Sequence, residues 1–99
     1  TELNAMRAKM LLAEEHALLS LPTAMRLARD TLDFFTTQPA TPDWELAYAH
    51  VIYAHAAMAT DNQDVYKATY PDAKRYVAAI ADSDDRQIVK KTFNLLSPP

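Results

Sequence analysis

The sequence contains no glycine and no cysteine. Without glycine, no residue takes positive φ freely or lets a phosphate approach the backbone closely, so the P-loop and the dinucleotide fingerprint are both absent from this chain. Asn-Gly hairpin turns are missing for the same reason, which argues against β structure. Without cysteine there is no disulfide, no thiolate-bound zinc and no thiol nucleophile. Apolar runs near the roughly 18 residues of a membrane span are lacking, as is a signal-peptide pattern at the start, so the expectation is a cytoplasmic protein with no membrane partner. Basic excess is lacking too. Ten Lys and Arg face thirteen Asp and Glu, a formal charge of −3, and neither half of the chain is a basic arm. Nucleic acid is therefore not an expected partner, because binding to its phosphates needs a basic face.

What remains is ordinary globular material. Hydrophobic residues are 49% and charged residues 23% of 99 positions, which fits one domain burying roughly 60 to 68% of the unfolded chain's surface and fits neither disorder nor a coiled coil. Leu3, Met6, Met10, Ala13 and Ala17 fall at helical spacing among strong helix formers and predict a first helix over 2–19. Ser20-Leu21-Pro22 reads as its stop and the next start, with Ser20 as N-cap and Pro22 in the first turn. The second helix then runs from about Leu21 to Phe35, burying Leu21, Ala24, Met25, Ala28, Leu32 and Phe35.

Residues 36–43, TTQPATPD, carry two prolines and form a linker in which Thr41-Pro42 repeats the cap-then-proline device. The third helix, 44–59, is apolar around most of its circumference. Trp44, Ala47, Tyr48, Val51, His55 and Met58 share one face, with Leu46, Tyr53 and Ala57 opposite, as expected of the central buried helix. Asn62 is the residue expected to take the left-handed conformation in the turn that follows. A fourth helix starts near Gln63 and meets Pro71, which predicts a kink or break at Tyr70-Pro71 and a resumption over 72–81. Asp82-Ser83-Asp84-Asp85 starts a fifth helix over about 84–96 that buries Ile88, Val89, Phe93 and Leu96. The fold class is therefore all-α: about five antiparallel helices, with hairpins over about 2–35 and 44–81 and a C-terminal capping helix.

Shifting residues 22–35 by 41 positions lays Ala24 on Val65, Leu27 on Ala68, Leu32 on Ala73 and Phe35 on Tyr76, a weak self-similarity of the two hairpins. Repeated helical hairpins with a lone terminal helix follow the logic of tetratricopeptide solenoids, whose period is about 34 residues. Trp44-Glu45-Leu46-Ala47-Tyr48-Ala49-His50, the alanine-rich run through Ala54, Ala56 and Ala59 to Asp61, and Ile80-Ala81-Asp82-Ser83-Asp84-Asp85-Arg86 resemble a group of uncharacterised bacterial tetratricopeptide-like proteins. The resemblance covers roughly residues 43–99, with Thr60 where the pattern has glycine and Pro71 inside the second helix. It implies a helical-hairpin fold and brings no catalytic residue.

Candidate chemistry is sparse. His50 and His55 stand five apart, about 140° around a helix, so they make no local metal pair, and no Glu-x-x-His motif occurs. A metal site would have to be assembled between helices, for instance from Glu15, His16 and His55; no metal and no cofactor are expected. His55 shares a face with Trp44 and Tyr48, and these with Tyr70 could line a small-molecule pocket between the third and fourth helices near the proline. The plainer account makes His55 a core histidine hydrogen-bonded to a neighbouring helix. Asp82, Asp84 and Asp85 are better explained by capping than by catalysis, and Ser20 and Ser83 have no nucleophile elbow around them.

One surplus stands out. The first helix carries Leu11 and Leu18 seven apart on one flank and Leu12 and Leu19 seven apart on another, more apolar surface than one antiparallel partner covers. Either the third helix covers it, or a second chain or an upstream element does. The expected function is accordingly a non-catalytic protein-interaction or self-association module contacting a protein or its own copy through Leu11, Leu12, Leu18 and Leu19. A small-molecule-binding domain is the alternative.

Overall fold

The computed structural model describes residues 1–19 and 22–99, and among them all regular structure is α-helical. The helices are α1 (Glu2–Leu18), α2 (Ala24–Thr37), α3 (Asp43–Ala59), α4 (Gln63–Ala78) and α5 (Ser83–Phe93). Helix α3 touches all four others, with α1 and α2 on one side and α4 and α5 on the other. Its composition explains the position. Ala47, Ala49, Ala54, Ala56 and Ala57 are fully buried beside Val51 and Ile52, and small side chains on every face let helices approach closely all round.

Two cores result, one against each side of α3. Ala49, Ile52 and Ala56 meet Met10, Ala13 and Ala17 of α1 and Ala24, Leu27, Ala28 and Phe35 of α2. Ala47, Val51, Ala54 and Ala57 meet Tyr66, Ala73 and Val77 of α4 together with Ile80, Val89, Phe93 and Leu96. Each fully buried Val, Ile or Phe contributes roughly 1.5–3 kcal/mol relative to exposure. Helices α1, α3 and α5 start at Glu2, Asp43 and Ser83, 41 and 40 residues apart, and α2 and α4 at Ala24 and Gln63, 39 apart, all close to the 41-residue offset seen in the sequence.

Several expectations need correcting at the ends of helices. Ser20 as N-cap and Leu21 as a buried residue lie outside the described residues. Pro22 precedes α2 instead of opening it, and Thr23 takes the cap position with helical dihedrals. The linker is shorter than expected, because Thr36 and Thr37 continue α2 and the Thr37 hydroxyl donates to the Phe34 carbonyl. Thr41 does not cap α3. Its hydroxyl donates backwards to the Phe35 carbonyl, 2.8 Å away, closing α2, and Pro42 occupies the cap position.

At the α3–α4 corner Asp61, not Asn62, has the positive φ, at 58°. Helix α4 runs unbroken through Pro71 and stops at Ala78, so the predicted break does not occur. The proline takes away the helical partner of the Lys67 carbonyl, but Lys67 and Pro71 are both exposed, and water can replace the missing donor. Packing of Tyr66 and Tyr70 before the proline and Ala73 and Val77 after it keeps both halves helical against α3. Helix α5 ends at Phe93, three residues early, and Ile88, expected in the core, is 65% exposed. The Asp82 cap is as expected, its Oδ1 accepting from the backbone N–H groups of Asp84 and Asp85 at 2.7 and 3.1 Å.

Candidate functional site

The rotation of α1 about its own axis is fixed by polar pairs on both flanks. Toward α3, the Arg7 guanidinium donates twice to the Glu45 carboxylate, at 2.7 and 3.0 Å, and the His55 Nδ1 lies 2.7 Å from Glu14 Oε1. Toward α2, Lys9 Nζ donates to Asp30 at 2.9 Å and His16 Nδ1 lies 2.6 Å from the Thr23 hydroxyl. Met10, Ala13 and Ala17 fill the space between these flanks. With both edges pinned, the remaining face points outward: Ala5, Ala8, Leu11, Leu12, Glu15, Leu18 and Leu19 are all exposed. The leucines are 57, 43, 59 and 69% exposed in that order. Helix α3 does not take up the surplus.

Turning α1 to bury these leucines would strip two buried carboxylates of their partners. Glu45 is 1% exposed and Glu14 is buried as well, and a buried carboxylate without its partner is strongly destabilising. These buried polar contacts therefore enforce the exposure. Glu14 also acts on Tyr48: burial raises the phenol's pKa, the negative charge of Glu14 raises it further, and a hydrogen bond with Thr92 opposes both. The Tyr48 hydroxyl keeps its proton throughout the physiological range.

The four residues expected to line a ligand pocket do not come together. Trp44 and Tyr48 lie with Arg7, Met10, Leu11 and Glu45 along an open groove of about 370 Å³ between α1 and α3. Trp44 also borders a smaller groove of about 170 Å³ with Asp85, Ile88 and Val89 of α5. His55 is buried against Glu14, the core histidine of the plainer account. Tyr70 packs, as Trp44 and Tyr48 do, against the core on the α4–α5 side of α3, but it lies deeper along it, its ring centroid 5.2 Å from Phe93 and 5.7 Å from Tyr66, and it does not line the Trp44 grooves. The remaining histidine of α3, His50, stacks on Tyr76 at 4.0 Å, and burial lowers its pKa below the ordinary 6.5. The Tyr66 hydroxyl donates to the Ser97 carbonyl, fastening the C-terminal residues to α4.

Among the described residues no three His, Asp or Glu side chains could hold a metal ion together, and Glu15, His16 and His55 in particular stay apart, with Glu15 exposed on the outer face. No described helix is long and apolar enough to cross a membrane. Asp85 has its carboxyl pKa raised by partial burial and by the charges of Asp82, Asp43 and Asp84, while Asp43 and Asp82 accept backbone N–H groups. Of the three carboxylates expected to cap, Asp82 caps α5, whereas Asp43 of α3 ties down the Ala81 N–H in the turn before it.

Three residues that matter here carry no local signal in the sequence. Arg7 and Glu45 pair across 38 positions and Glu14 and His55 across 41. The 41-residue offset holds the one usable hint, since it sets Glu14 in register with His55 on two helices that run parallel. No protein family, curated protein or solved structure matches the chain.

Proposed function

We propose that this chain is a non-catalytic protein-interaction module of helical-hairpin, tetratricopeptide-like type, with the outer face of α1 as its contact surface. The observation that carries the reading is the exposure of Leu11, Leu12, Leu18 and Leu19 on a helix whose rotation is fixed by side-chain pairs on both flanks. Their exposed surface is on the order of 400 Å², within the roughly 300–600 Å² of the largest apolar patch on a typical monomer, where such patches are often functional. The even spacing of the starts of α1, α3 and α5 supports the repeat character. The histidines favour a non-catalytic role: His55 and His50 are engaged in packing, and His16 is tied to Thr23.

The test replaces the four leucines together by glutamine. In dilute solution the four substitutions together cost no more than about 2 kcal/mol, since surface changes are worth at most about 0.5 kcal/mol each, and the variant loses the binding of an apolar dye that the parent shows. A collapse of the midpoint, at the roughly 2–5 kcal/mol per leucine of a core site, would make these residues part of the core and end the reading.

A second reading draws on the groove between α1 and α3, where Trp44 and Tyr48 offer aromatic surface beside the Arg7–Glu45 pair. A small molecule seated there at about 100 times its dissociation constant adds roughly 2.7 kcal/mol of stability. A thermal-shift screen with and without Trp44→Ala separates it from the first reading.

A further inference from the structure

We infer that the two open grooves meeting at Trp44 form one site for an organic cation on an apolar stem, an alkylammonium or guanidinium whose charge lies between the Trp44 ring and the Asp85 carboxylate. The inference rests on the second reading above and names the class of small molecule. The larger groove, about 370 Å³, has Met10 and Leu11 of α1 on one wall and Trp44 and Tyr48 of α3 on the other. The smaller, about 170 Å³, lies between Trp44 and the Asp85, Ile88 and Val89 side chains of α5. Trp44 is half-buried and belongs to both. Ile88, 65% exposed where the core was expected, has its place as a wall of the smaller groove.

The polar groups decide what such a ligand is. Arg7 is the only base along the two grooves, and its guanidinium already donates twice to Glu45. That pair satisfies itself and offers no free charge to a ligand. Tyr48 keeps its phenol proton and is neutral. Asp85 is left: its carboxylate has no ion-pair partner among the described residues, and the neighbouring Arg86 guanidinium donates to the Ile80 carbonyl at 2.8 Å. The charges of Asp82, Asp43 and Asp84 stand around Asp85 and work against its ionisation. A cation beside it relieves that repulsion, whereas an anion adds to it. The indole face supplies the second contact, because the ring quadrupole attracts a cation within about 6 Å of its centroid.

Helix spacing sets the length of the stem. Neighbouring helix axes lie roughly 8–10 Å apart, so the grooves on either side of Trp44 are separated by about that distance, which a stem of about six carbons spans. Along it the ligand meets Ile88, the indole, Met10 and Leu11, an apolar track with one polar handle at its end. Both grooves are open to solvent, so the ligand keeps part of its hydration, and the expected dissociation constant is about 0.1–5 mM.

Trp44 is the single tryptophan of the sequence, so its fluorescence reports this site and is blind to ligand on the outer leucines. Titration of the full chain with hexylammonium chloride at low salt should give a saturable change, with hexan-1-ol at least about fivefold weaker and hexanoate without effect over the same range. Asp85→Asn should bring hexylammonium down to the level of hexan-1-ol. Asp64→Asn, which removes the same charge beyond the opposite end of α3, should change it less than about twofold. Salt makes the comparison on the parent chain alone: about 0.5 M sodium chloride should weaken hexylammonium several-fold and should not weaken hexan-1-ol. Hexan-1-ol or hexanoate binding as tightly as hexylammonium would overturn the inference and leave the second reading standing as an apolar site. An ammonium preference that survives in a folded Asp85→Asn variant, or that salt leaves intact, would overturn it equally. No saturable change with hexylammonium ends it outright, and the thermal-shift screen then decides the second reading by itself.

Discussion

The two sides of α3 are held by different kinds of force. On the α4–α5 side the contacts are mostly aliphatic and aromatic, with one exposed tie from Asp43 to the Ala81 N–H: Tyr70 against Phe93 and Tyr66, His50 stacked on Tyr76, Val77 and Val89 in the same core. On the α1–α2 side an apolar core of similar kind is supplemented by Arg7–Glu45 and Glu14–His55, both reaching α3 from α1. Apolar packing is non-directional and tolerates small rotations of a helix. Ion pairs with bidentate or buried geometry do not. The difference teaches why the leucines sit where they do. A helix held by its apolar stripe alone would roll its largest apolar face inward; α1 is held by carboxylates that can be satisfied in one orientation, and that orientation leaves four leucines out.

The comparison can be broken first at the cores. Phe35→Ala, at a position 1% exposed, should cost about 3–5 kcal/mol, whereas Phe93→Ala should cost less, because Phe93 lies at the edge and Tyr70 can lean into the space. Denaturant midpoints compare them, and equal losses would mean that the two sides are packed alike. Next comes the buried pair. Glu14→Ala alone should cost about 3 kcal/mol, while Glu14→Met together with His55→Leu should bring most of that back, since apolar replacement of a buried pair is often close to neutral. Additive losses in the double variant would remove the pair from its role in orienting α1.

A weaker effect belongs to the other side. Burial lowers the His50 pKa, with Arg75 adding to it and Asp72 opposing, so the unfolded chain takes up a proton that the folded chain refuses. The stability this contributes is complete above the ordinary value of 6.5 and is lost as the pH falls toward the folded pKa. Thermal unfolding of parent and His50→Phe should diverge below pH 6.5, the variant showing the flatter profile; parallel profiles would clear His50 of the acid sensitivity. The smallest change is expected from Pro71→Ala. Restoring the Lys67 hydrogen bond is partly cancelled by the greater freedom of the unfolded chain, and a net gain of up to about 1 kcal/mol should raise the melting temperature by a few degrees.

The helical architecture was largely legible because its signals are local. Thr41-Pro42, Asp82 and the proline-rich linker punctuate runs of strong helix formers, and the all-round apolar character of α3 marks the central helix before any contact is known. Misplaced features trace to tertiary packing overriding local preference. Pro71 was expected to kink or break α4, but the helix runs on through it, with tyrosines packed before the proline and the orphaned carbonyl on the exposed side. Ile88 has the hydrophobicity of a core residue, yet only Val89, Phe93 and Leu96 reach the side of α5 that meets α3 and α4. As for the site, the leucine surplus was visible as two heptad spacings on one short helix. Its cause was not, because Glu14 and Glu45 look like ordinary solvent-facing carboxylates until partners some 40 residues away are placed beside them.

Sharing α3 between both cores has a consequence for how the molecule opens. Neither hairpin owns a complete interior, so excising one exposes half of α3's buried surface and leaves the other without a wall. Partial opening that detaches α1 and α2 as a unit must uncover Ala49, Ile52 and Ala56, and the opposite opening must uncover Ala47, Val51 and Ala54. The backbone amides of the middle turns of α3 are protected by both halves at once and should exchange with solvent only through global unfolding, later than those of any other helix. The chain would then behave as a single cooperative unit in spite of its repeated plan.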